Sequence, residues 1–169
     1  MNSIIQRRSI RKYTDQKLTR DQVNEIIKAG MYAPSAGNSQ PWEFIVVDDK
    51  NIFSEIMKIH KYSRMLQTAS HAVIICANLD RELFKGYFPQ DCGACAQNML
   101  LQTQEMGLGG VWLGIYPEKD RIEAFTNIFS LPENIIPFGV IVLGYPNENK
   151  KIPERFDESR IYNNKYNQK

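Results

Sequence analysis

Cysteine and histidine are scarce here, three and two among 169, and their scarcity narrows the chemistry at once. An odd, low cysteine count gives no disulfide framework and makes a reducing cytoplasm the expected compartment. A zinc site would need Cys76 to join the distant Cys92 and Cys95 without a histidine pair to complete four ligands, so no metal is expected. No apolar run approaches the ~20 residues that span a bilayer. The longest, Ala72 to Ala77, suits a buried strand, and residues 1–8 lack the apolar core of a signal peptide. The net charge of +2 leaves no global basic excess, so neither nucleic acid nor membrane is an expected partner. No repeat, low-complexity tract or linker breaks the chain, which reads as a single domain over 1–169.

Several catalytic signatures are missing as well. There is no P-loop, no HExxH and no G-x-S-x-G. Gly107-Leu108-Gly109-Gly110 fails the dinucleotide pattern, because Trp112 stands at the third glycine position and the run precedes a strand. No acid–base pair emerges: His60 and His71 read as packing or solvated residues on a helix face and at a strand start. No catalytic side chain is therefore assigned.

What is present is an ordinary globular composition, 43% hydrophobic and 24% charged. Thr19-Arg20-Asp21-Gln22 forms a capping box, after which Val23, Ile26, Ile27, Gly30 and Met31 fall at helical spacing. Pro34 ends that helix, and 35–40 is a polar loop. Trp42 to Val47 reads as a strand. Ile52, Phe53, Ile56, Met57 and His60 mark a second amphipathic helix. His71 to Asn78 is a strand apolar on both faces, hence central. A long helix is expected from about Asp91 to Met106, ended by Gly107 in a left-handed cap. A strand over 110–115, a helix over 118–129 with Pro117 in its first turn, and a strand over 136–145 follow. Strands and helices mix without strict alternation, so the fold class is α+β.

Two segments carry chemistry. In Arg7-Arg8-Ser9-Ile10-Arg11, the forked, permanently charged guanidiniums suit a phosphate monoester, and an extended backbone would aim Arg7, Ser9 and Arg11 at one ligand. A solvated basic face is the alternative. In Ala33 to Trp42, small residues allow close backbone approach to a flat ligand, while Asn38 and Gln40 offer amide donors and acceptors. A simple turn between helix and strand is the alternative.

Arg7 to Tyr13, Ala33 to Trp42, Gln90 to Asn98, Gly107 to Pro117 and Leu143 to Pro146, in this order and spacing, resemble the FMN-dependent nitroreductase family over 7–160. The resemblance implies a central, mainly antiparallel sheet of four to five strands flanked by helices, in an intertwined homodimer. It implies that Arg7, Ser9 and Arg11 hold the FMN phosphate, ribityl chain and pyrimidine edge, with Arg8 assisting. Pro34, Ser35, Asn38 and Gln40 match a loop given to the flavin by the other subunit, and Trp42 is packing. Leu113 and Gly114 match a segment whose backbone N–H faces the flavin N5. Arg160 matches a position completing the phosphate site, Arg64 a further basic contact, and the tail from about 146 to 169 is expected to pack on the partner. The implied activity is two-electron transfer from NAD(P)H to a nitroaromatic or quinone-like acceptor by a ping-pong mechanism. A non-catalytic flavin-binding or redox-sensing dimer, a dehalogenase and a flavin-modifying enzyme on the same fold remain alternatives.

Two features stand apart from this pattern. Cys92-Gly93-Ala94-Cys95 is a C-x-x-C, read as two core residues on a buried helix stripe rather than a redox dithiol. The stretch 80–91 replaces the longer insertion of larger relatives, and Phe84, Tyr87 and Phe88 are candidates for an aromatic lid or for a dimer contact.

Overall fold

The computed structural model describes residues 2–168; Met1 and Lys169, the outermost residues of the expected domain and tail, lie outside it. Helix α1 (Ser3–Gln6) opens the chain, and α2 (Arg20–Met31) follows. The capping box at its start forms as expected: Gln22 N–H donates to the Thr19 hydroxyl at 3.2 Å, and Thr19 N–H donates to Gln22 Oε1 at 2.9 Å. Then come β1 (Trp42–Val47), α3 (Lys50–Ile59), β2 (His71–Asn78), α4 (Phe88–Glu105), β3 (Gly109–Gly114), α5 (Lys119–Phe129) and β4 (Ile135–Gly144).

The four strands pair antiparallel throughout in the order β1-β2-β4-β3. The α+β expectation thus takes its four-stranded form. The two long apolar strands, β2 and β4, are the central pair, and each lends alternate side chains to two separate cores. Val73, Ile75, Ile141 and Leu143 join α2 and α4 on one face. Ala72, Ile74, Val140 and Val142 join α3 and α5 on the other. Period-two alternation in a strand covered on both faces produces this division.

The N-terminal segment is fastened to the end of this sheet. Ser9 bridges Gly110 in parallel and Tyr13 bridges Pro146 antiparallel. Ile10 N–H donates to the Gly110 carbonyl at 3.0 Å. Lys150 Nζ donates to the Ser9 carbonyl at 2.6 Å, and Arg11 N–H donates to Glu148 Oε1 at 2.5 Å. The backbone from 9 to 14 is therefore held extended from both sides.

Two boundaries differ from the sequence reading. Helix α4 starts at Phe88 rather than Asp91, with Pro89 in its first turn where a missing N–H costs nothing. Helix α5 starts at Lys119, and Pro117 lies outside it in a turn whose Tyr116–Pro117 peptide is cis. Gly107 takes the left-handed conformation, φ 69°, that closes α4.

Candidate functional site

The outer edge of β3 is where cationic side chains from distant parts of the chain converge. A cavity of about 450 Å³ there is lined by Arg11, Arg64 and Arg121, with Trp112, Leu113 and Gly114 as its strand wall. His60, Lys61 and Tyr62, at the end of α3, complete the lining. No acidic side chain lines it, and among the described residues none of Arg7, Arg11, Arg64 and Arg121 is in an ion pair. Such an uncompensated cluster gives the cavity a positive potential that attracts anions. On the other side of Arg11 and Arg64 lies a second cavity of about 480 Å³, which Lys12 and Thr68 also line.

Strand alternation explains how the N-terminal arginines divide. Arg11 reaches the cavity, whereas Arg8 and Ile10 turn to the opposite side, where they line a small crevice with Glu148 and Lys150. Arg8 donates to the Ile5 carbonyl there, and its buried Nε has no protein partner. Arg7 is half-buried; burial, then the Arg8 and Arg155 guanidiniums, lower its pKa. Arg155 thus brings the C-terminal tail back toward Arg7. Arg160 sits farther along, exposed in the turn Glu158–Arg160, and pairs with Asp157 at 2.9 Å.

Gly114 is suited to a flat ligand by what it lacks. A Cβ built on it meets nothing within 4 Å, so packing does not require glycine there, and a side chain would project into open space beside the arginines. Trp112 on the same strand is partly exposed at 37% and lies against Phe138 with ring centroids 5.5 Å apart. A cradle of this kind, walled by a backbone and an indole and rimmed by guanidiniums, fits a planar ring bearing a phosphate.

The loop after α2 is built separately. Asp91, buried on the first turn of α4, accepts Ala36 N–H at 2.9 Å and the Ser39 hydroxyl at 3.4 Å. Gln40 N–H donates to the Ser35 hydroxyl at 3.0 Å, and Gln40 Nε2 donates to Asn38 Oδ1 at 2.9 Å. Asn38 and Gln40 both adopt positive φ, 58° and 48°; the short amide of Asn38 tolerates this conformation better than most side chains, while that of Gln40 does not share the advantage. This loop with Pro34 leads into β1, at the sheet edge opposite β3. Three strand spacings, roughly 14 Å, separate the two edges. The β3-edge cavity of one chain brings Arg11, Arg64, Leu113 and Gly114 together, and Ser35, Asn38 and Gln40 are not among its lining residues.

Arg121, His60 and Asp91 are the residues sequence reasoning missed. Arg121 looks like any solvated helix cation, and nothing local signals that its helix returns to the end of β3. His60 was expected to be a packing or solvated residue; it is buried and hydrogen-bonded at the cavity wall, 3.0 Å from the Gly114 carbonyl. Asp91 marks the expected start of the long helix, with no local sign of its bonds to Ala36 and Ser39.

The remaining candidates resolve simply. Cys76, Cys92 and Cys95 are free and buried. Burial pushes the Cys92 thiol well up and the Cys95 thiol up to about 12, and both lie in the α4 core, so neither is poised as a thiolate. Phe88 is a core residue packed edge-on to Tyr116 at 5.1 Å, while Phe84 and Tyr87 stay exposed. Among the described residues no group of three or more His, Cys, Asp or Glu is placed to hold a metal, and no helix is long and apolar enough to cross a membrane.

Comparison with known proteins agrees with this geometry. A protein of Methanothermobacter thermautotrophicus, provisionally named NADH dehydrogenase/NAD(P)H nitroreductase, is 42% identical over 98% of this chain and 87% of its own. The crystal structure of a provisionally assigned NADH oxidase from Clostridium acetobutylicum superposes with a TM-score of 0.94 at 40% identity, covering 98% and 100% of the two chains. A nitroreductase-type protein of Desulfovibrio desulfuricans, solved in complex with FMN, superposes with a TM-score of 0.84 at 28% identity, covering 97% and 95%. The sequence model of the nitroreductase family matches residues 4–74 and 60–145, which takes in the arginine segment, the amide loop and the whole of β3, and the chain belongs to that family.

Proposed function

We propose that this protein is an FMN-dependent oxidoreductase that moves two electrons from NAD(P)H to a nitroaromatic or quinone-like acceptor in a ping-pong cycle. The observation that carries the reading is the β3-edge cavity, which joins an acid-free cluster of guanidiniums to a glycine with open space over it. Arg7 and Ser9 hold the phosphate and ribityl chain, with Arg160 supporting the phosphate end; Arg8 faces the opposite crevice and bears on the site only through the charge of its neighbour Arg7. Arg11 and Arg64 face the pyrimidine edge, where a cation stabilises negative charge on the reduced ring. Leu113 and Gly114 supply backbone against its central part. FMN held by these residues would supply the two-electron redox chemistry between nicotinamide and oxidant.

The site is completed in a homodimer, where Pro34, Ser35, Asn38 and Gln40 of the partner subunit cover the ring. The separation of that loop from Gly114 within one chain supports this arrangement. The exposed Ile152, Phe156 and Ile161 of the tail are apolar surface for the same contact.

The purified protein should be yellow, release FMN on denaturation, and bleach anaerobically with NADH or NADPH. Its colour should return on adding a nitroaromatic. A bound flavin that neither nicotinamide bleaches would overturn the assignment.

A further inference from the structure

The Gly114 carbonyl is a meeting point for two side chains from different helices. His60 Nε2 lies 3.0 Å from its oxygen, and Arg121 Nη1 donates to the same oxygen at 2.8 Å. A carbonyl can only accept, so His60 Nε2 carries the proton. The Tyr62 backbone N–H donates to His60 Nδ1 at 3.3 Å, so that nitrogen must be the unprotonated one. The imidazole is therefore neutral and fixed in one tautomer.

Its surroundings enforce that state. His60 is 1% exposed, and burial is the main influence that lowers its pKa, with Arg121 adding to it. The charged groups that share its cavity are all cations: Arg121 on α5, the adjacent Lys61, Arg64 in the following turn and Arg11 on the N-terminal segment. Tyr62, the other titratable group there, meets the imidazole edge-on at 6.2 Å. An imidazolium would lose the Tyr62 bond and stand among like charges.

The sheet edge gives this contact a purpose. The Gly110 carbonyl accepts Ile10 N–H from outside the sheet, so Gly110 turns its backbone groups away from β4. Two-residue alternation turns those of Trp112 and Gly114 the same way. The two donors on the Gly114 carbonyl come from outside the sheet, as this requires. The Gly114 N–H thus faces the cavity on an unpaired edge, in a residue with no side chain to restrict its backbone.

We propose that His60, together with Arg121, is a positioning residue that holds the Gly114 carbonyl and so fixes the outward N–H of that glycine against the flavin ring. This rests on the flavin reading above. Neither side chain touches the reacting atoms; each limits the rotation of the peptide that follows the donor.

The test uses the FMN-loaded dimer and the variants His60→Leu, His60→Gln and Arg121→Met. His60→Leu removes the donor and should slow anaerobic bleaching by NADH about tenfold and shift the flavin absorption bands, with FMN content unchanged. His60→Gln keeps an amide donor at the same reach and should restore most of the rate. Arg121→Met, at a half-exposed position, should slow bleaching in the same direction and reads the clamp even where His60→Leu does not fold. The wild-type rate should fall at a pH below the ordinary histidine range, and that limb should be absent in His60→Gln. Wild-type rates and spectra in Arg121→Met, or an acid limb that persists in His60→Gln, would overturn the clamp while leaving the flavin assignment intact. A wild-type protein that binds FMN without bleaching would instead remove the reading on which the clamp depends.

Discussion

The Trp112 indole lies across Gly139, so closely that a Cβ on that glycine would stand 2.5 Å from Nε1. Gly139 is the register partner of Gly114 on the neighbouring strand. The indole that walls the cavity is therefore seated by a glycine on β4. Gly139→Ala should destabilise the fold by about 1–3 kcal/mol and displace the indole. Urea unfolding followed by tryptophan fluorescence measures both; an unchanged midpoint with unchanged emission would show that Trp112 is not held there.

The arginine segment should be separable from folding. Among the described residues Arg7 and Arg11 make no ion pair, and Arg11 is tied down through its backbone N–H, which donates to Glu148. The double variant Arg7→Ala with Arg11→Ala should purify folded, dimeric and colourless. Retention of one FMN per subunit would contradict the phosphate and pyrimidine assignments together.

Asp91 and Asn38 test whether the amide loop serves a second chain. Asp91→Ala leaves the Ala36 N–H without its buried acceptor and should cost about 1–3 kcal/mol of stability. It should also weaken FMN binding, although Asp91 does not line the cavity that Arg11 lines. In mixed dimers, Asn38→Ala in one subunit should perturb the flavin held mainly by the arginines of the other. A perturbation confined to the mutated subunit's own arginine site would contradict a shared site.

Stability should depend on pH through the two histidines. Burial is the main influence holding both His60 and His71 below the ordinary value of 6.5. The unfolded chain then binds protons that the native one refuses, so stability rises with pH across that interval. It should be complete above about pH 6.5 and decline as pH falls through that value toward the native pKa values. Urea midpoints between pH 5 and 7.5 measure this, and replacing both histidines by glutamine should flatten the dependence.

Local chemistry was legible in the sequence wherever the partners are near neighbours. The Thr19–Gln22 capping box, the left-handed Gly107 and the two-faced apolar run of β2 all depend on residues within a few positions of one another. The alternation that aims Arg11 at the cavity was legible for the same reason, whereas Arg8, expected to assist there, lines a different crevice. Features made by long-range return were not. Arg121 acquires its role only because α5 comes back over the end of β3, and His60 only because α3 ends there. The start of α4 was misplaced because Asp91, which has the residue type of a cap, spends its carboxylate on Ala36 and Ser39 instead. Pro117 obeys turn geometry that its suitability for a helix start concealed.

β4 is ten residues long, with its last eight buried and a hydrogen-bonded neighbour on either side. Its amides should be the slowest in the molecule to exchange with solvent deuterium, released only when the whole domain opens. The 35–40 loop and the exposed 83–87 stretch have no such neighbours and should exchange through small local openings. The molecule would then keep one slow clock at its centre and a fast one at each rim, so that a rim could admit and release a visitor many times before the centre registers a single opening.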